Sequence, residues 1–265
     1  MEILDQIGHQ IHIDRLPKRI ISLVPSQSEL LVDLGMDKKL VGVTRFCTHP
    51  KHLRTSRTMV GGTKDLNFEL ISNLNPDLVV CNKEENNKED VLRLQSLYPT
   101  YTSDVNSLNE ALIMISDLGK ITGATDLSRK LNEKISSDFI SLENSISGSV
   151  AYLIWNDPIM VAGQNTFINS VLNTIGFSNV FDQKPGRYPE VSDHELMKYK
   201  PDYIFLSSEP YPFKEKNREI FQKKFPRSQV VLVDGRMYSW YGSCLSRAVE
   251  SINSLVKRLS KNYSN

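Results

Sequence analysis

The hydrophobic and polar positions follow one pattern twice. Phe68 to Asn75 spaces its apolar residues as one face of a short helix. Pro76-Asp77 follows, then the unbroken apolar run Leu78-Val79-Val80-Cys81. Asp193 to Lys200 repeats the amphipathic segment, Pro201-Asp202 the break, and Tyr203-Ile204-Phe205-Leu206 the run. The residue before a proline is pushed out of the α region, so each helix stops there. A short apolar run without alternation marks a strand buried on both faces. Each copy is half of a βαβ unit. Two copies predict two α/β lobes of related design, and such lobes usually enclose a ligand cleft.

The rest of the pattern fits that frame. Ile3–Ile7 and Gln10–Ile13 flank Gly8-His9 and predict a hairpin. Arg19–Val24 is a buried strand ending at Pro25-Ser26, after which Ser28 is placed to cap a helix over Glu29–Leu34, closed by Gly35. Leu40–Val43 is a strand and Leu108–Ile121 a helix. From Thr125 to about Ser145, Leu127, Leu131, Ile135, Phe139 and Leu142 recur at helical steps, with Ile146 continuing the series. A helix of that length spans about 30 Å, enough for a rigid connector. Beyond it come a strand at Val150–Trp155, a helix at Thr166–Ile175 stopped by Gly176, a strand at Gln229–Val233 and a closing helix at Ser246–Leu259. The expected class is α/β: two α/β lobes with mainly parallel sheets joined by a single long backbone helix. The boundaries are residues 1–123, 124–147 and 148–265.

Composition narrows the function. The net charge of +1 over 265 residues lacks the basic excess of a nucleic-acid surface. No apolar run is long enough to span a membrane. Met1 is not followed by a basic segment and an apolar stretch, so the sequence as written predicts no signal peptide. Cys47, Cys81 and Cys244 are odd in number and widely spaced, which gives no zinc pattern and no disulfide framework.

Arg19-Ile20-Ile21-Ser22-Leu23-Val24-Pro25-Ser26, Ser28-Glu29-Leu30 and Leu34-Gly35 together carry a resemblance. It continues through Val41-Gly42-Val43, Val60-Gly61-Gly62-Thr63 and Asn67-Phe68-Glu69 leading to Pro76-Asp77. These segments resemble the periplasmic-binding proteins that deliver cobalamin, haem and ferric chelates to ABC importers, with the cobalamin receptors most similar. The resemblance implies a non-catalytic substrate-binding monomer with no intrinsic cofactor. Its partners would be a corrinoid or ferric chelate as ligand and an ABC importer permease. It implies the periplasm or cell envelope, whereas the sequence as written points to the cytoplasm or to a chain trimmed of its leader.

The resemblance also implies ligand contacts at Pro25, Ser26, Phe46, Thr63, Asn82 and Lys83 in the first lobe, and at Trp155, Arg187, Tyr188, Trp240 and Tyr241 in the second. Aromatic rings with polar tips suit a large flat ligand. Thr63 and Asn82 stand where cobalamin receptors often carry aromatics. Each position has an ordinary structural reading too: Trp155 can fill a core, Trp240-Tyr241 can plug their own lobe, and Lys83–Glu89 can be a solvated face. The family docks on its importer through one exposed glutamate per lobe. Glu69 matches the first. In the second lobe the repeat aligns His194, with Glu195 one residue later; a Glu195 buried against its own lobe with His194 alone facing out would favour a cytoplasmic handler.

Cys47 and His49 admit two further readings, metal ligands or a nucleophile–base pair, although no second Cys/His cluster accompanies them. The enzyme alternative is chemistry on a tetrapyrrole with Cys47, His49 or Asp157. Neither a nucleophile motif nor a phosphate loop supports it, since Gly61-Gly62 alone falls short of one.

Overall fold

The strand Leu78–Asn82 is buried at every residue, the state expected of a central parallel strand. The computed structural model of the chain describes residues 1–142 and 146–261. It divides into two compact units. Unit 1 comprises Met1–Val105, Asn109–Lys134 and Tyr241–Cys244. Unit 2 comprises Asn106–Leu108, Ile135–Trp240 and the chain from Leu245.

Unit 1 opens with the antiparallel pair β1 (Glu2–Leu4) and β2 (Gln10–His12). Its sheet is built from β3 (Ile20–Ser22), β4 (Leu40–Val43), β5 (Thr58–Met59), β6 (Leu78–Asn82) and β7 (Thr100–Ser103). These run parallel in the order β5-β4-β3-β6-β7. The helices are α1 (Pro25–Leu31), α2 (Leu53–Ser56), α3 (Phe68–Leu74), α4 (Lys88–Leu97) and α5 (Leu108–Thr122). α6 (Thr125–Ile140) continues unbroken from unit 1 into unit 2. One core cluster joins Ile21, Val79 and Cys81 of the sheet to Ile71, Val91 and Leu94 of the helices.

Unit 2 contains β8 (Gly148–Asn156), β9 (Ile159–Val161), α7 (Phe167–Ile175), β10 (Phe177–Asn179), α8 (Asp193–Tyr199), β11 (Tyr203–Ser207), α9 (Glu215–Lys224), β12 (Gln229–Val233), α10 (Arg236–Ser239) and α11 (Leu245–Lys261). The order is β10-β8-β11-β12, all parallel, with β9 antiparallel on the far end of β8. Phe205 is fully buried and lies edge-on to Phe177 and Tyr152, with ring centroids 5.2 and 6.4 Å away.

The repeated cassette is a repeat of backbone geometry. α3 ends at Asn75 (φ 42°) and α8 at Lys200 (φ 49°), both left-handed and both just before proline. The left-handed turn satisfies the end of the helix and redirects the chain into the strand. The aspartate after each proline then grips the first strand of its own sheet. Asp77 accepts the Arg19 N–H at 2.7 Å and the Lys18 N–H at 2.9 Å. Asp202 accepts the Ser149 N–H and hydroxyl, both at 2.7 Å. Asp77→Ala is expected to cost about 2 kcal/mol, as charge-assisted hydrogen bonds to backbone are lost. Urea denaturation checks this; an unchanged midpoint would show that water replaces the carboxylate without loss.

The structure departs from the sequence pattern in three places. α1 begins at Pro25 with Val24 as its cap residue, so Ser28 lies inside the helix and is fully buried. Proline presets the helical φ at a first-turn position where its missing N–H costs nothing. The Ser28 hydroxyl meets Ser22 Oγ at 2.8 Å and donates to the Val24 carbonyl at 3.0 Å. Second, α6 stops at Ile140; the expected end near Ser145 lies outside the described residues. Its stripe is also not buried throughout, for Ile135 and Phe139 are buried but Leu127 is 48% exposed. Third, strand pairing in the hairpin stops at Leu4 rather than Ile7, and the residues beyond serve the edge of the sheet. Asp5 and Gln6 accept the Thr102 and Asp104 N–H groups, each at 3.0 Å, on the open side of β7. That blunts an edge which would otherwise be open to pairing.

Candidate functional site

In an open parallel sheet, ligands gather beyond the carboxyl ends of strands where the strand order reverses. In unit 1 that point lies between β3 and β6, in unit 2 between β8 and β11. The residues following those strands are therefore the ones to inspect.

Unit 1 presents Pro25 and Ser26 after β3, both buried. Asn82, at the end of β6, is 3% exposed and structural. Its amide donates to the Ser103 carbonyl and hydroxyl at 3.1 and 3.0 Å, and its oxygen accepts from the Glu84 and Glu85 N–H groups. Asn86 completes the clip by accepting the Asn82 N–H at 2.8 Å and donating to the Thr63 carbonyl at 2.9 Å. Thr63 is half-buried. Two side chains in this group reach solvent. Lys83 pairs with Asp104 at 2.6 Å. Phe46, after β4, is 51% exposed, with Arg45 over its ring at 5.2 Å. Arg45 is fixed in turn by Asp65 at 2.9 Å.

Cys47 lies beneath this surface, fully buried, with its sulfur 3.1 Å from the Ser28 hydroxyl and 3.5 Å from that of Thr44. Burial pushes its thiol pKa up, and these hydrogen bonds oppose the rise without cancelling it. A thiolate is needed for nucleophilic attack or metal ligation, so Cys47 is a packing residue. All three cysteines are buried and none is in a disulfide. Among the described residues no group of three or more His, Cys, Asp or Glu side chains could hold a metal.

Unit 2 presents Trp155 on the end of β8. The ring is 39% exposed rather than in the core, because the β8–β11 ladder ends at Leu153–Leu206 and β8 runs on beyond it. Its indole N–H donates to the exposed Asp157 carbonyl at 3.0 Å, and its ring stands edge-on to Tyr211 at 5.6 Å. Tyr211 is tied by its N–H to the Ile154 carbonyl and stands edge-on to buried Phe213 at 4.7 Å. Arg187 and Tyr188, both half-buried, lie in a bend that leads into the segment hydrogen-bonded to β9. The guanidinium sits 5.9 Å from the Tyr188 ring. The backbone packs closely at Gly163, where a Cβ would meet the Gly186 and Arg187 carbonyls at 3.0 and 3.3 Å.

Trp240 is half-buried, and its indole N–H donates to Glu209, as does the Ser239 hydroxyl at 3.0 Å. Burial raises the Glu209 pKa against these donors. Tyr241 is 7% exposed and belongs to unit 1. The next residue, Gly242, has φ +111° and lies against α1, where a Cβ would approach Leu30 at 3.3 Å. So Trp240 and Tyr241 do not form one exposed aromatic pair. Tyr211, Glu209, Arg45 and Asp104 were missed in the sequence. The cassette repeat could have found Glu209, because it stands where Glu84 stands in the first copy.

The proposed docking residues divide. Glu69 is exposed in the first turn of α3, beside the cap in which Asn67 accepts the Leu70 N–H at 3.0 Å. His194 is exposed in the first turn of α8. Glu195 is engaged within its own unit: one oxygen binds Lys184, the other accepts the Ser192 N–H at 2.8 Å in a capping box. The Lys184 contact first, then the Ser192 donors, lower its pKa from 4.5 to about 2. A depressed carboxylate stabilises the fold above its unfolded pKa and loses that contribution as pH falls through its folded value. Glu195→Gln is therefore expected to lower thermal stability at neutral pH and to flatten the acid loss between pH 4.5 and about 2. Melting curves across that window check this; parallel curves for the two proteins would exclude the assignment.

Residues 20–230 match the sequence profile of the family described as periplasmic binding protein. The chain belongs to that family. It is 28% identical over 212 residues to an ABC transporter substrate-binding lipoprotein of Bacillus subtilis, covering 76% of this chain and 67% of that protein. It is 23% identical over 252 residues to the vitamin B12-binding protein of Pectobacterium carotovorum, covering 92% and 90%. The catecholate-siderophore binding protein of Vibrio cholerae superposes with a TM-score of 0.80 at 15% identity, covering 97% of this chain and 99% of that one, a likeness of fold. No helix among the described residues is long and apolar enough to cross a membrane.

Proposed function

We propose that this chain is the non-catalytic substrate-binding protein of an ABC importer, and that its cargo is a corrinoid or an iron chelate such as haem or a ferric siderophore. The observation that carries the reading is the exposed Trp155 ring standing on Tyr211 at the strand ends of unit 2. Phe46, held by Arg45, offers a second exposed ring at the strand ends of unit 1. Rings on rigid strand ends give contact area to a macrocycle or catechol at little entropy cost. Lys83, Arg187 and the half-buried Tyr188 supply polar contacts for the periphery of such a ligand. The kinship with a transporter lipoprotein and a vitamin B12-binding protein supports the same chemistry. The buried thiol of Cys47 gives no support to catalysis.

Docking on the importer is assigned to Glu69 in unit 1 and to the surface around His194 in unit 2. Glu195 is left out because its carboxylate is already engaged with Lys184 and Ser192.

The test is the visible spectrum of protein purified from its native host, followed by titration with cobalamin, haemin and a ferric catecholate. One of the three is expected to bind saturably with Kd in the micromolar range or tighter, and to be recovered chemically unchanged. Failure of all three to saturate, or consumption of the ligand, would overturn the reading.

A further inference from the structure

β11 lies between β8 and β12 in the unit 2 sheet. Side chains of the loop beyond its carboxyl end turn to both sides. Toward β8, Tyr211 supports the Trp155 ring. Toward the segment after β12, Glu209 accepts the indole N–H of Trp240 and the hydroxyl of Ser239, the latter at 3.0 Å, where α10 ends. Two residues apart on one loop, Tyr211 and Glu209 thus hold the only two tryptophans of the chain.

The loop keeps Glu209 still. The Ser208 N–H donates to the Val233 carbonyl at 3.0 Å, and the Ser208 hydroxyl accepts the Gly235 N–H at 3.0 Å. The Glu209 carbonyl accepts the Ser207 hydroxyl at 2.6 Å. The Glu209 stem lies across Gly235, where a Cβ would meet its Cγ at 2.7 Å. Burial raises the Glu209 pKa above its usual 4.5, and the Ser239 and Trp240 donors oppose the rise. Asp234 adds to it and Arg236 opposes it, both from the segment after β12, while the Tyr152 phenol on β8 is kept neutral by burial. An ionised acceptor binds an N–H about twice as strongly as a neutral one. The hold on the indole therefore depends on the charge of Glu209.

We propose that Glu209 is a positioning residue of the unit 2 ligand site. By gripping the indole N–H it presets the half-buried Trp240 ring as a second aromatic face, as Tyr211 presets Trp155. This rests on reading those strand ends as the chelate site.

Trp155→Phe leaves Trp240 as the sole tryptophan, so its emission reports the contact with no ligand present. The charge beside the indole changes as Glu209 titrates, and the emission is expected to follow one pH step above 4.5. Burial raises the Asp234 pKa but Arg236 outweighs it, so Asp234 titrates below 3.8 and outside that window. Glu209→Gln is expected to abolish the step. In the chain with Trp155 intact, Glu209→Gln is expected to weaken binding about fivefold, measured with whichever of cobalamin, haemin and a ferric catecholate saturates the parent. With Trp240→Phe already present, the same change should cost less than about twofold, because the two residues act as one unit. Emission without a step, a step that Glu209→Gln leaves in place, or an undiminished fivefold loss in the Trp240→Phe background would each overturn the inference. A parent that shows the step but saturates with none of the three chelates would overturn the cargo reading and still support the grip of Glu209 on Trp240.

Discussion

Trp155→Ala is expected to weaken chelate binding by about 2–4 kcal/mol, roughly 30- to 1,000-fold, while leaving the fold intact. The ring is already 39% exposed, so its removal opens little of the core. What is lost is a flat face held still by two neighbours. The Asp157 carbonyl fixes the indole N–H at 3.0 Å, and Tyr211 supports the ring edge-on at 5.6 Å. Tyr211 in turn rests on Phe213, which is buried in the unit 2 core. A preorganised ring loses little entropy on binding, which is why such positions dominate affinity. Tyr211→Ala should therefore weaken binding in the same direction although Trp155 is still present. Calorimetric titration of the ligand that the parent protein binds measures both effects. If Trp155→Ala binds as tightly as the parent, the platform is not the contact surface and the unit 2 site must be sought around Arg187 and Trp240.

The scaffold was more legible than the site, for a physical reason. The cassettes announce themselves because helix, Pro-Asp break and buried strand each impose a local rule. The rules agree with the tertiary result at Asn75 and Lys200, both left-handed, and at Asp77 and Asp202, both clamps. The start of α1 misled because a serine before an amphipathic run is a common cap, whereas Pro25 sets the first turn without one. Trp155 was ambiguous because exposure at a strand end depends on how far the neighbouring strands extend, and β11 pairs only as far as Leu153. Asn82 resembled a contact residue by position, but its amide is consumed by Ser103 and the Glu84 and Glu85 backbone. Tyr241 was drawn out of the solvent by Gly242, whose turn lays the chain on α1. For Trp155, Asn82 and Tyr241 a deciding partner (β11, Ser103 and α1 in turn) is distant in sequence.

Charge reversal at Glu69 is expected to abolish import while leaving ligand affinity as it was. Glu69 is exposed, sits in the first turn of α3, and is not one of the strand-end residues assigned to the ligand. Losing one partner of a close charge pair at a partly buried interface costs about 2–5 kcal/mol, and reversal adds repulsion. The two units are unequal in this respect. Glu195→Arg would break the capping box with Ser192 and the contact with Lys184, so any loss of import there is confounded with loss of stability. His194 is exposed and offers an imidazole where the first unit offers a carboxylate. His194→Ala should accordingly slow import less than Glu69→Arg does. Transport into proteoliposomes carrying the native permease, with ligand affinity measured in parallel, separates docking from capture. Undiminished import by Glu69→Arg would remove the docking assignment. Fractionation of native cells would then decide between an importer component and a cytoplasmic handler of the same cargo.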